Sequence, residues 1–349
     1  MTDGIRCMQM RGGSSKGAYF LAADLPGDPA ERDDLLLRIM GSPDERQIDG
    51  LGGGHPLTSK VAVVTPSASV DADVDYLFLQ VVPGRATITD AQTCGNLLAG
   101  VGPFAVERGL VAAGAETTTV RIRIMNPTIS LAVAQVRTPG GRVRYDGDTI
   151  MAGTPFPAAP IALRFPGGDA PVFPTGNLVD RLAGVEATCV DAGMPVILVR
   201  AADLGIAGDE SPEALEGNEI LRRRVEAVRL AAGAAMGLGD VRDTTVPKVT
   251  LVSSPRNGGT VCTRTFIPHR VHAAIGVLGA VSVAAGTSVA GTVASHPGKA
   301  GRVRIEHPTG VFEVDVDLDG RRLRSSAVVR TARKLSDGLV WPRSGKAAP

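Results

Sequence analysis

Cys94-Gly95-Asn96 sets a thiol and two small residues directly before an uncharged apolar run that continues to Val106. Such a run reads as a helix, so the sulfur belongs at a helix N-terminus. There the helix dipole and the unpaired N–H groups favour negative charge and the docking of an anion. Gly95 lets a ligand approach the backbone closely. The opposing reading is a buried, unreactive cysteine, the usual state of a free thiol. Lys60 is a second group able to move a proton. It follows the Gly-rich turn GLGGGH (Gly50 to His55) and Thr58-Ser59, and it opens the apolar stretch Val61 to Val64. A lysine at the entry of an apolar strand either reaches back to water or serves as acid or base toward a bound substrate.

Two further clusters suit anions. In MRGGSSKGAYF, Gly12 and Gly13 free backbone N–H groups, Ser14 and Ser15 offer hydroxyls, and Arg11 and Lys16 add positive charge. This is the chemistry of a carboxylate or phosphate nest. It is not a Walker loop, because GxxxxGK[ST] is absent; a tight turn with solvated cations is the competing account. Arg264, His269, Arg270 and His272 precede a second uncharged apolar stretch, which again makes an anion-friendly terminus. His269 and His272 are three apart, but no acidic partner completes a metal set, so no metal is expected.

The elements that must position these residues follow from patterning. The uncharged stretches are Gln92 to Val106 and Val271 to Ala294. The second is long enough to raise the question of a membrane span. It is rich in Ala, Gly, Ser and Thr, however, and two helices apolar on every side, each flanked by strand-like sequence, read as helices buried in a protein core. The two stretches also look alike, and aligning Cys94 with His272 offsets them by about half of the 349 residues. That period suggests duplication into two similar domains, each wrapping strands around one central helix. Short β-branched strands are expected at Ser59 to Ser67, Val74 to Val82, Thr118 to Asn126, Cys189 to Ala201, Lys248 to Ser254 and Gly310 to Gly320. Surface helices are expected at Glu31 to Gly41 and Asn218 to Gly237. The fold class is therefore α+β. The Gly- and Pro-rich stretch Gly153 to Gly176 reads as a connector, which gives domains of residues 1–184 and 185–349, with the last strand free to return to the first.

Composition excludes several partners. Lys and Arg number 37 against 36 Asp and Glu, and there are only eight Phe, three Tyr and one Trp. Neither the basic bias nor the stacking surface of a nucleic-acid binder is present. Cys7, Cys94, Cys189 and Cys262 are far apart and lack CxxC spacing, so a reduced, cytoplasmic protein is expected rather than a disulfide framework. A homodimer is the default for such a protein.

Larger motifs then become recognisable: MRGGSSKGAYFLAADLP, MGSPDERQIDGLGG, LTSKVAVV, CGNLLAGVGPFAVERGLVAA, DAGMPV, PRNGGTV and FIPHRVHAAIGVLGAVSVA. Over nearly the whole chain the sequence resembles the family of methylaconitate and oxalomesaconate isomerases. The resemblance implies the diaminopimelate-epimerase-like fold, two pseudo-symmetric barrels each around a central helix, with the active site in the cleft. It implies a cofactor-independent isomerase of a small tricarboxylate in gallate and aromatic acid breakdown, either a keto–enol tautomerase or a 1,3-allylic isomerase; the distant alternative is a non-catalytic polycarboxylate-binding protein. It further implies that Lys60 and Cys94 are the catalytic pair. The candidate substrate contacts are Arg11, Gly12, Gly13, Ser15 and Lys16 in the first turn, Thr58 and Ser59 before the lysine, and Gly95 and Asn96 after the thiol. Met194, His269, Arg270 and His272 complete the set. Epimerases of this fold use two facing cysteines; here the second helix is expected to begin at His272, which disfavours a two-thiol racemase. Gly54-His55-Pro56 departs from the Ala-Asp-Ser-like residues expected in the tautomerase branch and bears on fine specificity.

Overall fold

The computed structural model describes residues 4–242, 244–296 and 301–347. The chain divides into two compact units, Met1–Arg164 with Val329–Pro349, and Phe165–Val328.

In the first unit, β1 (Ile5–Gly12) and β2 (Ser15–Leu21) form a hairpin, and α1 (Pro29–Met40) leads to β3 (Lys60–Pro66). The chain continues through β4 (Val74–Val81), the short β5 (Ile88–Thr89) and α2 (Gly95–Glu107). It then passes through β6 (Thr117–Ile124), β7 (Ser130–Arg137) and β8 (Pro160–Pro166). Pairing runs β1–β2–β3–β4–β6–β7–β8, and the long strand Arg322–Val340 closes the ring by pairing with both β8 and β1. The pairs β2–β3 and β4–β6 are parallel. Parallel neighbours need a crossover, which α1 and α2 supply.

Alternation along the strands separates two environments. Cys7, Ala18, Phe20, Val61, Val63 and Leu79 face outward and form a cluster with Leu36, Leu37, Ile39 and Met40 of α1. The opposite face surrounds α2, which is buried at every position from Leu97 to Ala105. No side of that helix is polar because strands cover every side. The enclosure is tight and bonded: the Tyr19 hydroxyl donates to the Leu97 carbonyl (2.6 Å) and the Tyr76 hydroxyl to the Cys94 carbonyl (3.2 Å).

The second unit contains β9 (Asp180–Leu182), β10 (Val185–Asp191), β11 (Pro195–Arg200), α3 (Pro212–Gly217), α4 (Glu219–Ala235) and β12 (Lys248–Ser253). It continues with β13 (Val261–Phe266), α5 (Val277–Ser288), β14 (Arg302–His307), β15 (Gly310–Asp319) and the start of β16 (Arg322–Val340). Its strands are ordered β16–β15–β14–β13–β12–β11–β10–β9. The pattern repeats that of the first unit. An antiparallel hairpin (β10–β11) is followed by a parallel pair across the helical segment α3–α4 (β11–β12), then a hairpin (β12–β13), then a parallel pair across α5 (β13–β14). The fold is α+β, a duplicated strand-wrapped helix.

Two expectations need correction. Cys189 to Ala201 is not one strand but the hairpin β10–β11. Gly193 adopts φ +102°, a left-handed value that reverses the chain between Asp191 and Pro195. The second central helix does not begin at His272. Phe266 bridges Val271 and the His272 N–H donates to the Thr265 carbonyl (2.8 Å), so this segment continues strand-like pairing with β13. The helix starts after Gly276, its N-cap residue. Among the described residues, no helix is long and apolar enough to cross a membrane.

The fit of strands on α2 is testable at Gly100, where an added Cβ would lie 2.4 Å from the Tyr19 hydroxyl oxygen. Gly100→Ala is expected to lower the stability of the native state by about 1–3 kcal/mol, read as a lower midpoint in urea unfolding.

Candidate active site

Lys60 is the first residue of β3 and projects onto the face that surrounds α2, in register with Gly17 on β2 and Gln80 on β4. It is only 6% exposed. Its Nζ donates to Gln80 Oε1 (3.0 Å) and sits 5.0 Å from the centre of the Phe78 ring, within cation–π range. Gln80 is itself tied down, because its Nε2 donates to the carbonyls of Ser59 (2.9 Å), Val81 (3.0 Å) and Pro56 (3.2 Å).

Cys94 is the N-cap residue of α2, and among the described residues no side chain caps that helix end. The sulfur-bearing residue is 9% exposed. Tyr76, Phe78 and Gln80 alternate along one face of β4, so a single strand carries the Cys94 carbonyl at one position and the Lys60 amine at another. Burial pushes the phenols of Tyr19 and Tyr76 well above their ordinary value, and the neighbouring Cys94 adds to this. Both remain neutral hydrogen-bond donors. Burial also pushes the thiols of Cys7 and Cys189 up to about 12, which leaves them inert near neutrality.

Asn126 links these parts. Its Oδ1 accepts from Phe78 N (2.9 Å), while Nδ2 donates to the carbonyls of Phe78 (2.9 Å), Asp90 (2.7 Å) and Gln92 (2.8 Å). The segment that runs into Thr93 and Cys94 is thereby clamped to the strand that bears Phe78.

The first turn lies against α2. A Cβ on Gly12 would come 2.6 Å from the Asn96 carbonyl oxygen, and Asn96 Nδ2 donates to Ser14 Oγ (3.2 Å). Several expected anion donors are already engaged. Gly13 N donates to Thr331 O (2.9 Å) and Lys16 N to Leu57 O (2.9 Å). The Arg11 guanidinium, half-buried, donates to the carbonyls of Gly13 and Thr331 and to Thr331 Oγ1. Ser15 is different: its hydroxyl is buried on the α2-facing side with no partner among the described residues, and the Thr93 hydroxyl is likewise buried and unpartnered. Ser59 is fully buried with its hydroxyl on Gln47, and Thr58 donates to the His55 carbonyl (3.2 Å). Gly95 and Asn96 form the open first turn of α2.

In the second unit, His269 lies 4.0 Å from Glu226 and Arg270 3.4 Å from Glu216, both directed at α3–α4. His272 stays near the start of α5, with Nδ1 accepting the Ala274 N–H (2.9 Å). Ser282 of α5 donates to the Met194 carbonyl (2.7 Å) and accepts from Ala192 N (3.1 Å), which fixes the β10–β11 turn.

A family model described as PrpF protein matches residues 3–342. The chain belongs to the PrpF family. It is 53% identical to the (4E)-oxalomesaconate Delta-isomerase of Novosphingobium sp. strain KA1, over 97% of this chain and 98% of that one. It is 52% identical to the 4-oxalomesaconate tautomerase of Pseudomonas putida, over 96% and 95%. The crystal structure of methylitaconate-delta-isomerase matches with a TM-score of 0.85 at 33% identity, over 96% of this chain and 95% of that one. A hydroxyproline epimerase from Agrobacterium vitis matches at 0.56 and 16% identity, over 96% and 92%, and shows the epimerase-like fold alone.

Sequence reading of this PrpF chain missed Gln80, Asn126 and Tyr76. The available signal was a glutamine in the otherwise apolar end of the strand VDYLFLQVV, whose partner across the ladder is Lys60. Asn126→Ala is expected to lower stability by about 2–4 kcal/mol, since three carbonyls and one N–H lose a buried partner. It should also speed iodoacetamide labelling of Cys94 in the native protein, followed by peptide mass spectrometry.

Proposed function

We propose that this isomerase interconverts the enol and keto forms of 4-oxalomesaconate, with Lys60 and Cys94 as its acid–base pair. The observation that carries the reading is a buried amine on β3, on the strand face that surrounds α2, and a buried thiol at the N-cap of that helix. Tautomerisation takes a proton from one end of a conjugated system and returns one to the other, through a dienolate. One of the two groups accepts the first proton and the other donates the second, so the substrate's proton count is unchanged and the pair is reset by exchange with each other or with solvent. The dienolate's charge and the substrate carboxylates need donors nearby. The first N–H groups of α2 at Gly95 and Asn96, together with the unpartnered Ser15 hydroxyl, supply them. No step in this scheme calls for a metal or an organic cofactor.

A second reading, 1,3-allylic migration of the carbon–carbon double bond in a related tricarboxylate, is favoured by the names of the Novosphingobium relative and of the methylitaconate isomerase structure. Both readings pass through the same delocalised anion and use the same pair. They differ in which carbon is reprotonated. Proton NMR in deuterium oxide separates them: tautomerisation deuterates only the carbon alpha to the ketone, whereas allylic isomerisation also shifts the vinyl resonance.

Lys60→Met and Cys94→Ala are each expected to lower kcat by about 10²–10⁴-fold while a non-reactive tricarboxylate still binds, measured by ultraviolet turnover assay and calorimetric titration. Full turnover in either variant rules out the assignment.

A further inference from the structure

We infer that Gln80 is a positioning residue for Lys60: its amide oxygen is a neutral acceptor that aims the amine while leaving it free to gain or lose a proton. The inference rests on the reading of Lys60 as a proton-transfer group.

The geometry leaves the amide one orientation. Gln80 is buried and stands opposite Lys60 in the β3–β4 ladder. Three carbonyls, from Pro56, Ser59 and Val81, crowd one end of its side chain. Only the NH₂ group can satisfy carbonyls, so the oxygen must face Lys60 Nζ, 3.0 Å away. Ser59 and Pro56 belong to the turn that delivers Lys60. One side chain therefore holds both the main chain on which the lysine is mounted and the amine itself.

The chemical nature of the acceptor matters as much as its place. Both –NH₃⁺ and –NH₂ carry N–H bonds, so either form of Lys60 can donate to the amide oxygen. The contact persists through a proton-transfer cycle and turns the remaining hydrogens, or the lone pair, away from Gln80. A carboxylate here would hold the ammonium by charge and oppose loss of its proton. An aliphatic side chain would leave a buried amine without a fixed partner.

The other groups around this face do not take over the role. Phe78 presents a ring, and the Tyr19 and Tyr76 hydroxyls are committed to the carbonyls of Leu97 and Cys94. Cys94 caps this end of α2. The carboxylate of Glu107 lies at the far end of that helix, where Tyr145 and Lys334 donate to it. Arg11 and Lys16 project from the opposite face of the β1–β2 hairpin.

The test compares Gln80→Met, Gln80→Glu and Lys60→Met with the parent protein, measuring kcat, KM and the pH profile of kcat on enol-form 4-oxalomesaconate, with unfolding midpoints alongside. Gln80→Met is expected to lower kcat about 10- to 100-fold with KM changed less than about threefold, as for a misaimed group that still binds substrate. The limb of the profile set by Lys60 should move to lower pH in Gln80→Met, where the ammonium loses its acceptor. It should move to higher pH in Gln80→Glu, where an anion stabilises the ammonium. Both variants lose donors to the Ser59 and Val81 carbonyls, so both midpoints fall, yet lost stability alone does not drive the limb in opposite directions. If Gln80→Met does not fold, the upward shift in Gln80→Glu decides. An unmoved limb with Lys60→Met inactive overturns the role of Gln80 and leaves the lysine assignment standing. Full turnover in Lys60→Met overturns both.

Discussion

A helix with no polar face is stable in water only if every side of it is covered, and α2 is such a helix. From Leu97 to Ala105 it has nothing to offer solvent. The ring of strands in the first unit answers that requirement, and the parallel pairs on either side of each crossover follow from threading helices through a sheet that must close. Enclosure has a chemical consequence. It hides the flanks of the helix but not its ends, where the first N–H groups have no intrahelical acceptor. The N-terminus of α2 is therefore a place in this interior where backbone donors, a thiol and incoming side chains meet without disrupting the apolar packing.

The second unit uses the same order of hairpins and crossovers, yet its helix terminus is chemically different. Gly276 occupies the cap position that Cys94 occupies in the first unit. Duplication thus preserved the enclosure of a helix and not the groups at its end. A symmetric two-thiol exchange, which would invert a stereocentre by removing a proton from one face and replacing it on the other, has no second sulfur at that cap. An amine and a thiol within one unit suit a different task, relocation of a proton along a conjugated system.

Much of this was legible in the sequence where local punctuation marks a residue. Cys94 precedes an uncharged run, and Lys60 interrupts the passage from a Gly-rich turn to an apolar strand; both lie where those signals put them. The duplication was visible as two similar apolar stretches. The exact start of the second helix was not, because backbone pairing of the segment around His272 with β13 outweighs its small-residue composition. The hairpin in Cys189 to Ala201 was hidden by β-branched residues on both sides of a single glycine. β16 was missed entirely, and its final residues are largely exposed and show no clean alternation. Gln80 and Asn126 escaped for a further reason: their meaning depends on partners 20 to 48 positions away, which only strand register brings together.

Several of the polar residues that hold the first unit's interior are amides. Gln47 binds Ser42, Ser59 and Gly54; Gln80 binds Lys60 and three carbonyls; Asn126 binds the N–H and carbonyl of Phe78 in β4 and the approach to Cys94. A neutral amide can satisfy donors and acceptors together without the large desolvation cost of burying a charge. It also leaves the local field nearly unchanged. Charged clamps would favour one protonation state of the groups beside them, because an opposite charge within a few ångströms favours the ionised partner strongly. Among the described residues of the first unit, carboxylate–guanidinium pairs are partly exposed, as between Asp73 and Arg121 or Asp75 and Arg123. Around Lys60 and Cys94 the first unit is thus held by neutral dipoles.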